Sequence, residues 1–181
     1  MPSSTPSTGD RVLFGHSSGG LVALEAARRA SVDRLILYEP AILVGEHRKD
    51  TGLAARMQEF LDEGEREEAV KLYFRVADGT DDVEQWPIWP DCVALVETMV
   101  RENRAIEAYC LDDDLDVSAP ALLLTGEEGP EHLRAATQAL DDALDDSRLV
   151  ELDGVGHGGI SRAPELVANE VRSFLRETRP S

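Results

Sequence analysis

Apolar residues along this chain fall into distinct textures. Four short stretches are rich in apolar residues: three nearly unbroken, Val12-Leu13-Phe14 before Gly15, Leu35-Ile36-Leu37-Tyr38 before Glu39-Pro40 and Ala121-Leu122-Leu123-Leu124 before Thr125-Gly126, and a fourth, Arg148–Leu152, interrupted by Glu151. Such runs, bounded by Gly and Pro, predict strands buried on both faces of a parallel sheet. Between them the spacing becomes helical: Leu21, Leu24 and Ala27; Leu133, Ala136, Leu140 and Leu144; and Leu166, Val167, Val171 and Phe174 behind a first-turn Pro164. Residues 11–39 therefore read as strand, helix, strand within about 30 residues, the size of a right-handed crossover unit.

The middle of the chain is different. Residues 46–118 are charge-rich and helical by pattern, with one stripe at Leu53, Met57, Phe60 and Leu61 and another at Ala69, Leu72, Tyr73 and Val76. Trp86-Pro87-Ile88-Trp89-Pro90 interrupts the run, because proline is excluded from a helix interior. A long helix is expected to resume at Asp91 as N-cap, turning Val93, Val96, Val100 and Ile106 inward. The expected organisation is a Pro/Ser/Thr tail over 1–9, a first core segment over 10–45, a helical cap over 46–118, and a second core segment over 119–181. No internal repeat is visible. The fold class is α/β: a parallel sheet of about four strands with an inserted helical cap.

Composition narrows the function. The chain has 181 residues, 42% apolar and 30% charged, and Lys plus Arg (18) against Asp plus Glu (36) leaves −18. That charge repels nucleic acid and anionic lipid. No run reaches the ~18 apolar residues of a membrane span, and MPSSTPSTGD has neither the basic nor the apolar region of a secretory signal. Two cysteines, Cys92 and Cys110, cannot build a disulfide framework, so a cytoplasmic setting is expected. The runs Asp112–Asp114 and Asp141-Asp142…Asp145-Asp146 lack calcium-loop spacing and read as a solvated face. No histidine pair has metal-ligand spacing, so neither metal nor cofactor is expected.

One motif carries chemistry. Gly15-His16-Ser17-Ser18-Gly19 begins where the first predicted strand ends and a helix starts. A turn that tight is expected to exclude a Cβ at both flanking positions, leaving Ser17 strained with its hydroxyl presented. The helix N-terminus then favours negative charge beside it, and Gly20 lets the helix pack closely. A serine hydroxyl needs a base. Of four histidines, His16 lies inside the turn and reads as structural, His47 falls in the cap block, and His132 starts a helix. His157 sits in the glycine-rich loop Asp153-Gly154-Val155-Gly156-His157-Gly158-Gly159 after the last strand, C-terminal to the serine.

Together, GHSSGG after a strand, the Leu-Leu-Leu-Thr-Gly strand end and the LDGVGHGG loop resemble the α/β-hydrolase family, most closely its small esterase-like and peroxidase-like members with a helical lid. The likeness covers residues 10–45 and 119–181; the cap matches in character only. It implies Ser17 as nucleophile, His157 as general base and the Ser18 backbone N–H as half of an oxyanion hole. The family's usual acid position corresponds to Gly129, which has no carboxylate. Glu39, at the end of the preceding strand, and the neighbouring Glu128 and Glu127 are the candidate acids. The family sheet has about eight strands with the elbow after the fifth, so the resemblance implies a truncated sheet without the loop that supplies the second oxyanion donor. The implied substrate is a small, largely apolar ester or related acyl compound, with Trp86 and Trp89 as candidate pocket residues. The rival expectation is a catalytically impaired remnant serving as an interaction module or without function, associating with itself through the exposed strand Val12–Phe14.

Overall fold

In the computed structural model, which describes residues 11–49, 52–77, 79–113 and 115–176, the four apolar runs form strands β1 (Val12–His16), β2 (Arg34–Tyr38), β3 (Ala121–Gly126) and β4 (Ser147–Leu152). The 1–9 segment and Asp114 lie outside the described residues. All neighbours pair in parallel in the order β1-β2-β3-β4. The β1–β2 register sets His16 opposite Tyr38, so both strands end at one level.

Side-chain alternation divides the core in two. Leu35 and Leu37 of β2 and Leu123 of β3 face α1 (Ser18–Arg29) and α6 (Glu131–Ala143), packing with Leu24 and Leu140. Ile36 and Tyr38, with Leu122 and Leu124, face α8 (Pro164–Arg176) and meet Val167 and Phe174. Full burial of one such side chain is worth about 1.5–3 kcal/mol, which is why the continuous apolar runs specify β2 and β3 so firmly. β1 departs from the expectation of burial on both faces. It is an edge strand, and Val12 and Phe14 remain 36% and 42% exposed. Leu166 also departs, lying exposed on α8.

Between β2 and β3 the chain leaves the sheet. A short 3-10 helix (Gly45–Lys49) leads to α2 (Leu53–Asp62), α3 (Arg66–Ala77), α4 (Trp89–Ala94) and α5 (Val96–Ala108). These helices share a separate apolar core around Met57, Ala69, Val70, Val83 and Val96. The helix expected to run from Asp91 is instead two helices. α4 begins at Trp89 with Pro90 in its first turn, where a missing N–H costs nothing, and Leu95 (φ −103°, ψ 11°) separates it from α5. Val70 and Phe74 are buried on α3, whereas Val76 is exposed. Among the described residues, no helix is long and apolar enough to cross a membrane.

A short α7 (Gly159–Arg162) follows the glycine-rich loop after β4. The carboxyl ends of β1, β2, β3 and β4 thus all open beneath the cap, where ligands of open parallel sheets bind.

Candidate active site

Ser17 joins β1 to α1 with φ 55° and ψ −127°, a conformation that L-residues rarely adopt. Glu39, after β2, also has positive φ (41°). The two bends are tied together: the Ser17 N–H donates to the Tyr38 carbonyl (3.1 Å), and the Ala41 N–H donates to the Ser17 carbonyl (2.9 Å). Strain at each is thereby over-determined by its neighbour.

The glycines around the elbow divide differently from the expectation. A Cβ at Gly15 would lie 2.4 Å from the Gly19 carbonyl oxygen and 2.7 Å from the Gly20 Cα, so no side chain fits there. A Cβ at Gly19 would meet nothing within 4 Å. The second close approach belongs to Gly20, whose Cβ would fall 2.7 Å from Pro40 Cβ, at the bend that carries Glu39.

Glu39 is fully buried. Its Oε1 accepts hydrogen bonds from the Gly126 N–H (2.9 Å) and the Thr125 hydroxyl (3.1 Å), and its Oε2 lies 2.7 Å from His157 Nδ1. Two donors from the end of β3 compensate a carboxylate taken out of water. The third contact orients the imidazole, leaving its Nε2 for other work. A Cβ at Gly129 would sit 2.0 Å from Glu39 Oε1. The Glu39 carboxylate therefore occupies the space that a side chain at 129 would need. Glu127 and Glu128 are exposed, and Glu127 Oε2 instead accepts the Gly154 N–H at 2.9 Å.

The loop bearing His157 is held by close backbone packing. The Glu128 N–H donates to the Val155 carbonyl (2.9 Å), and Cβ atoms at Gly126 and Gly156 would collide with the Val155 and Glu128 carbonyl oxygens at 2.3 and 2.9 Å. His16 Nε2 is 3.0 Å from the His157 carbonyl oxygen. Its pKa lies below the usual imidazole value, chiefly because burial disfavours the charged ring and secondly because His157 is close.

Ser17 and His157 line one cavity of about 130 Å³ between sheet and cap. Ile42, Leu53, Val76 and Ile106 supply apolar wall, and Asn103 contributes a buried amide. Serine and imidazole are parts of one shared wall. His47 and His132 also face this space, their rings 6.0 Å apart and edge-on. Trp86 and Trp89 do not line it. They pack within the cap core, Trp86 edge-on to Phe74 with centroids 5.1 Å apart. Ser18 begins α1, and its hydroxyl donates to Glu102 Oε2 of α5 (3.1 Å), linking elbow to cap. No group of three His, Cys, Asp or Glu among the described residues is arranged to hold a metal ion.

Comparison with known proteins bears on the family and the fold. A sequence model described as the alpha/beta hydrolase family matches residues 4–170. An alpha/beta hydrolase from Sphaerobacter thermophilus superposes with a TM-score of 0.79 at 25% identity, over 93% of this chain and 68% of that one. An alpha/beta hydrolase from a Medee basin deep-sea metagenome library gives 0.74 at 16% identity, over 97% and 68%. An esterase from Exiguobacterium antarcticum gives 0.64 at 17%, over 92% and 66%. The latter two likenesses concern the fold alone, and the chain spans about two thirds of each structure's length. No curated protein matches significantly.

Proposed function

From the premise that this chain belongs to the alpha/beta hydrolase family, we propose that it hydrolyses a small apolar ester or related acyl compound through an acyl-enzyme on Ser17. In this reading His157 Nε2 takes the Ser17 proton as Oγ attacks the carbonyl carbon. The tetrahedral oxyanion forms beside the Ser18 N–H at the start of α1, where the helix dipole favours negative charge. His157 then gives the proton to the departing alcohol. Water, deprotonated by the same imidazole, releases the acid and restores Ser17. Glu39 holds the imidazole tautomer and stabilises its cationic form.

The observation that carries the reading is the buried Glu39 carboxylate, 2.7 Å from Nδ1 of an imidazole that shares a cavity wall with Ser17. The walls supplied by Ile42, Leu53, Val76 and Ile106 suit an apolar acyl group. The test is hydrolysis of p-nitrophenyl acetate, butyrate and octanoate by the wild-type chain and by Ser17→Ala. Turnover that favours the shorter esters and vanishes in the variant supports the reading. Equal turnover by both proteins overturns it.

A second reading follows from the exposed apolar edge at Val12 and Phe14. An unpaired edge strand is a template for another strand, so association of copies through β1 is proposed. Light scattering that shows a concentration-dependent dimer, weakened by Phe14→Lys, supports it; an invariant monomer contradicts it.

A further inference from the structure

We infer that His16 and Tyr38 form a paired clamp that positions His157 by gripping two successive carbonyls of its loop; this rests on the assignment of His157 as the base. The β1–β2 register makes the two residues direct neighbours at the ends of adjacent parallel strands, and their rings lie 5.3 Å apart. Each reaches up to the same loop. The Tyr38 hydroxyl donates to the Gly156 carbonyl at 2.6 Å, and His16 Nε2 lies 3.0 Å from the carbonyl of His157 itself. A carbonyl only accepts, so Nε2 carries the proton and His16 is the Nε2–H tautomer. The His16 ring also lies against the His157 ring, centroids 4.4 Å apart and tilted by 31°.

Glu127 and the Glu128 N–H already hold the loop at Gly154 and Val155, whereas the clamp grips the two peptides on either side of the His157 Cα. Glycines flank His157 on both sides, and glycine leaves a backbone free to rotate. The clamp supplies what those side chains do not. Glycine is also required on the far side, because a Cβ at Gly159 would fall 2.3 Å from the Tyr38 hydroxyl oxygen. With Glu39 on Nδ1, three consecutive anchors (the Gly156 carbonyl, the His157 carbonyl and the His157 ring) are met by residues 38, 16 and 39. Two strand ends thereby fix both the peptide and the imidazole. Burial and the nearby Glu39 push the Tyr38 phenol up to about 12, so it remains a donor throughout the working pH range. His16 and Tyr38 touch no reacting atom. They act through His157.

The experiment compares wild type with His16→Phe, His16→Gln and Tyr38→Phe in the 181-residue chain, by p-nitrophenyl butyrate kinetics and by amide hydrogen exchange over residues 154–159. A misplaced base costs on the order of 10-fold or more in kcat. His16→Phe and Tyr38→Phe should each lose about that much, with KM changed less than about two-fold. His16→Gln keeps an N–H donor and should recover most of the loss. Exchange at 154–159 should accelerate in the two Phe variants and not in the Gln variant. A merely structural role would shift melting temperature without this split or this rescue. If both Phe variants keep wild-type kcat and loop exchange, the clamp is refuted. If the wild type hydrolyses no ester, the serine-esterase reading fails, and the exchange pattern alone still decides the clamp.

Discussion

At the residue scale, Glu39 is the proposed acid in place of a carboxylate at the family's usual position. Position 129 offers no carboxylate, and the Glu39 side chain fills the space in front of it. A Glu39→Gln exchange keeps the shape but removes the charge and disturbs the tautomer of His157. It should lower kcat by roughly 10²–10⁴-fold with little change in KM, as loss of the orienting acid does in serine triads; steady-state ester kinetics check this, and near-normal kcat would remove Glu39 from the site. His16 supplies a pH signature. Its folded pKa lies below the ~6.5 of a free imidazole, so as pH falls through that value the unfolded chain takes up a proton before the folded one does. Stability is therefore full above about pH 6.5 and declines as pH drops toward the lowered folded value. Melting temperatures between about pH 7.5 and pH 5.5 should fall less steeply in His16→Gln than in wild type. Parallel slopes would contradict the role of its burial.

At the element scale, the strand–elbow–helix unit was readable because three signals coincide: the apolar run ending at Gly15, the glycines after Ser17, and the helical spacing from Leu21. What the string alone could not show is which glycine serves which contact. Gly15 faces the backbone of α1, and Gly20 faces Pro40, a partner about 20 residues away whose approach depends on tertiary packing. Gly15→Ala should destabilise the protein by about 3 kcal/mol or prevent folding. Gly19→Ala, with open space around its Cβ and a better helix former in place, should stay within about 1 kcal/mol of wild type. Chemical denaturation of the two variants makes the comparison, and equal destabilisation would mean that the elbow is tight at both glycines. The α4–α5 break was illegible for a related reason. Helical spacing continues across Leu95, whose backbone separates the two helices where Val96 and Val100 join the cap core.

At the scale of the whole molecule, the core was legible wherever a side chain is buried regardless of its partner, as at Leu35–Tyr38 and Leu122–Leu124. The cap was legible in character, but not in what it covers. Trp86 and Trp89 looked suited to a pocket, yet they pack against Phe74 and its neighbours, while smaller residues such as Val76 and Ile106 face the cavity. Amphipathic helices report that they bury a face; they do not report against which surface. The His157–Glu39 pairing joins positions 118 residues apart, which only the pairing of β2, β3 and β4 in one sheet brings together.

The central claim is that this sheet end assembles a working nucleophile from Ser17, His157 and Glu39. Its most direct measurement is labelling of the folded chain by a fluorophosphonate, with the modified residue mapped by mass spectrometry. The account predicts a single adduct on Ser17, formed much more slowly in His157→Ala and Glu39→Gln. A folded wild-type chain that stays unlabelled, or one labelled at the same rate without His157, would contradict it.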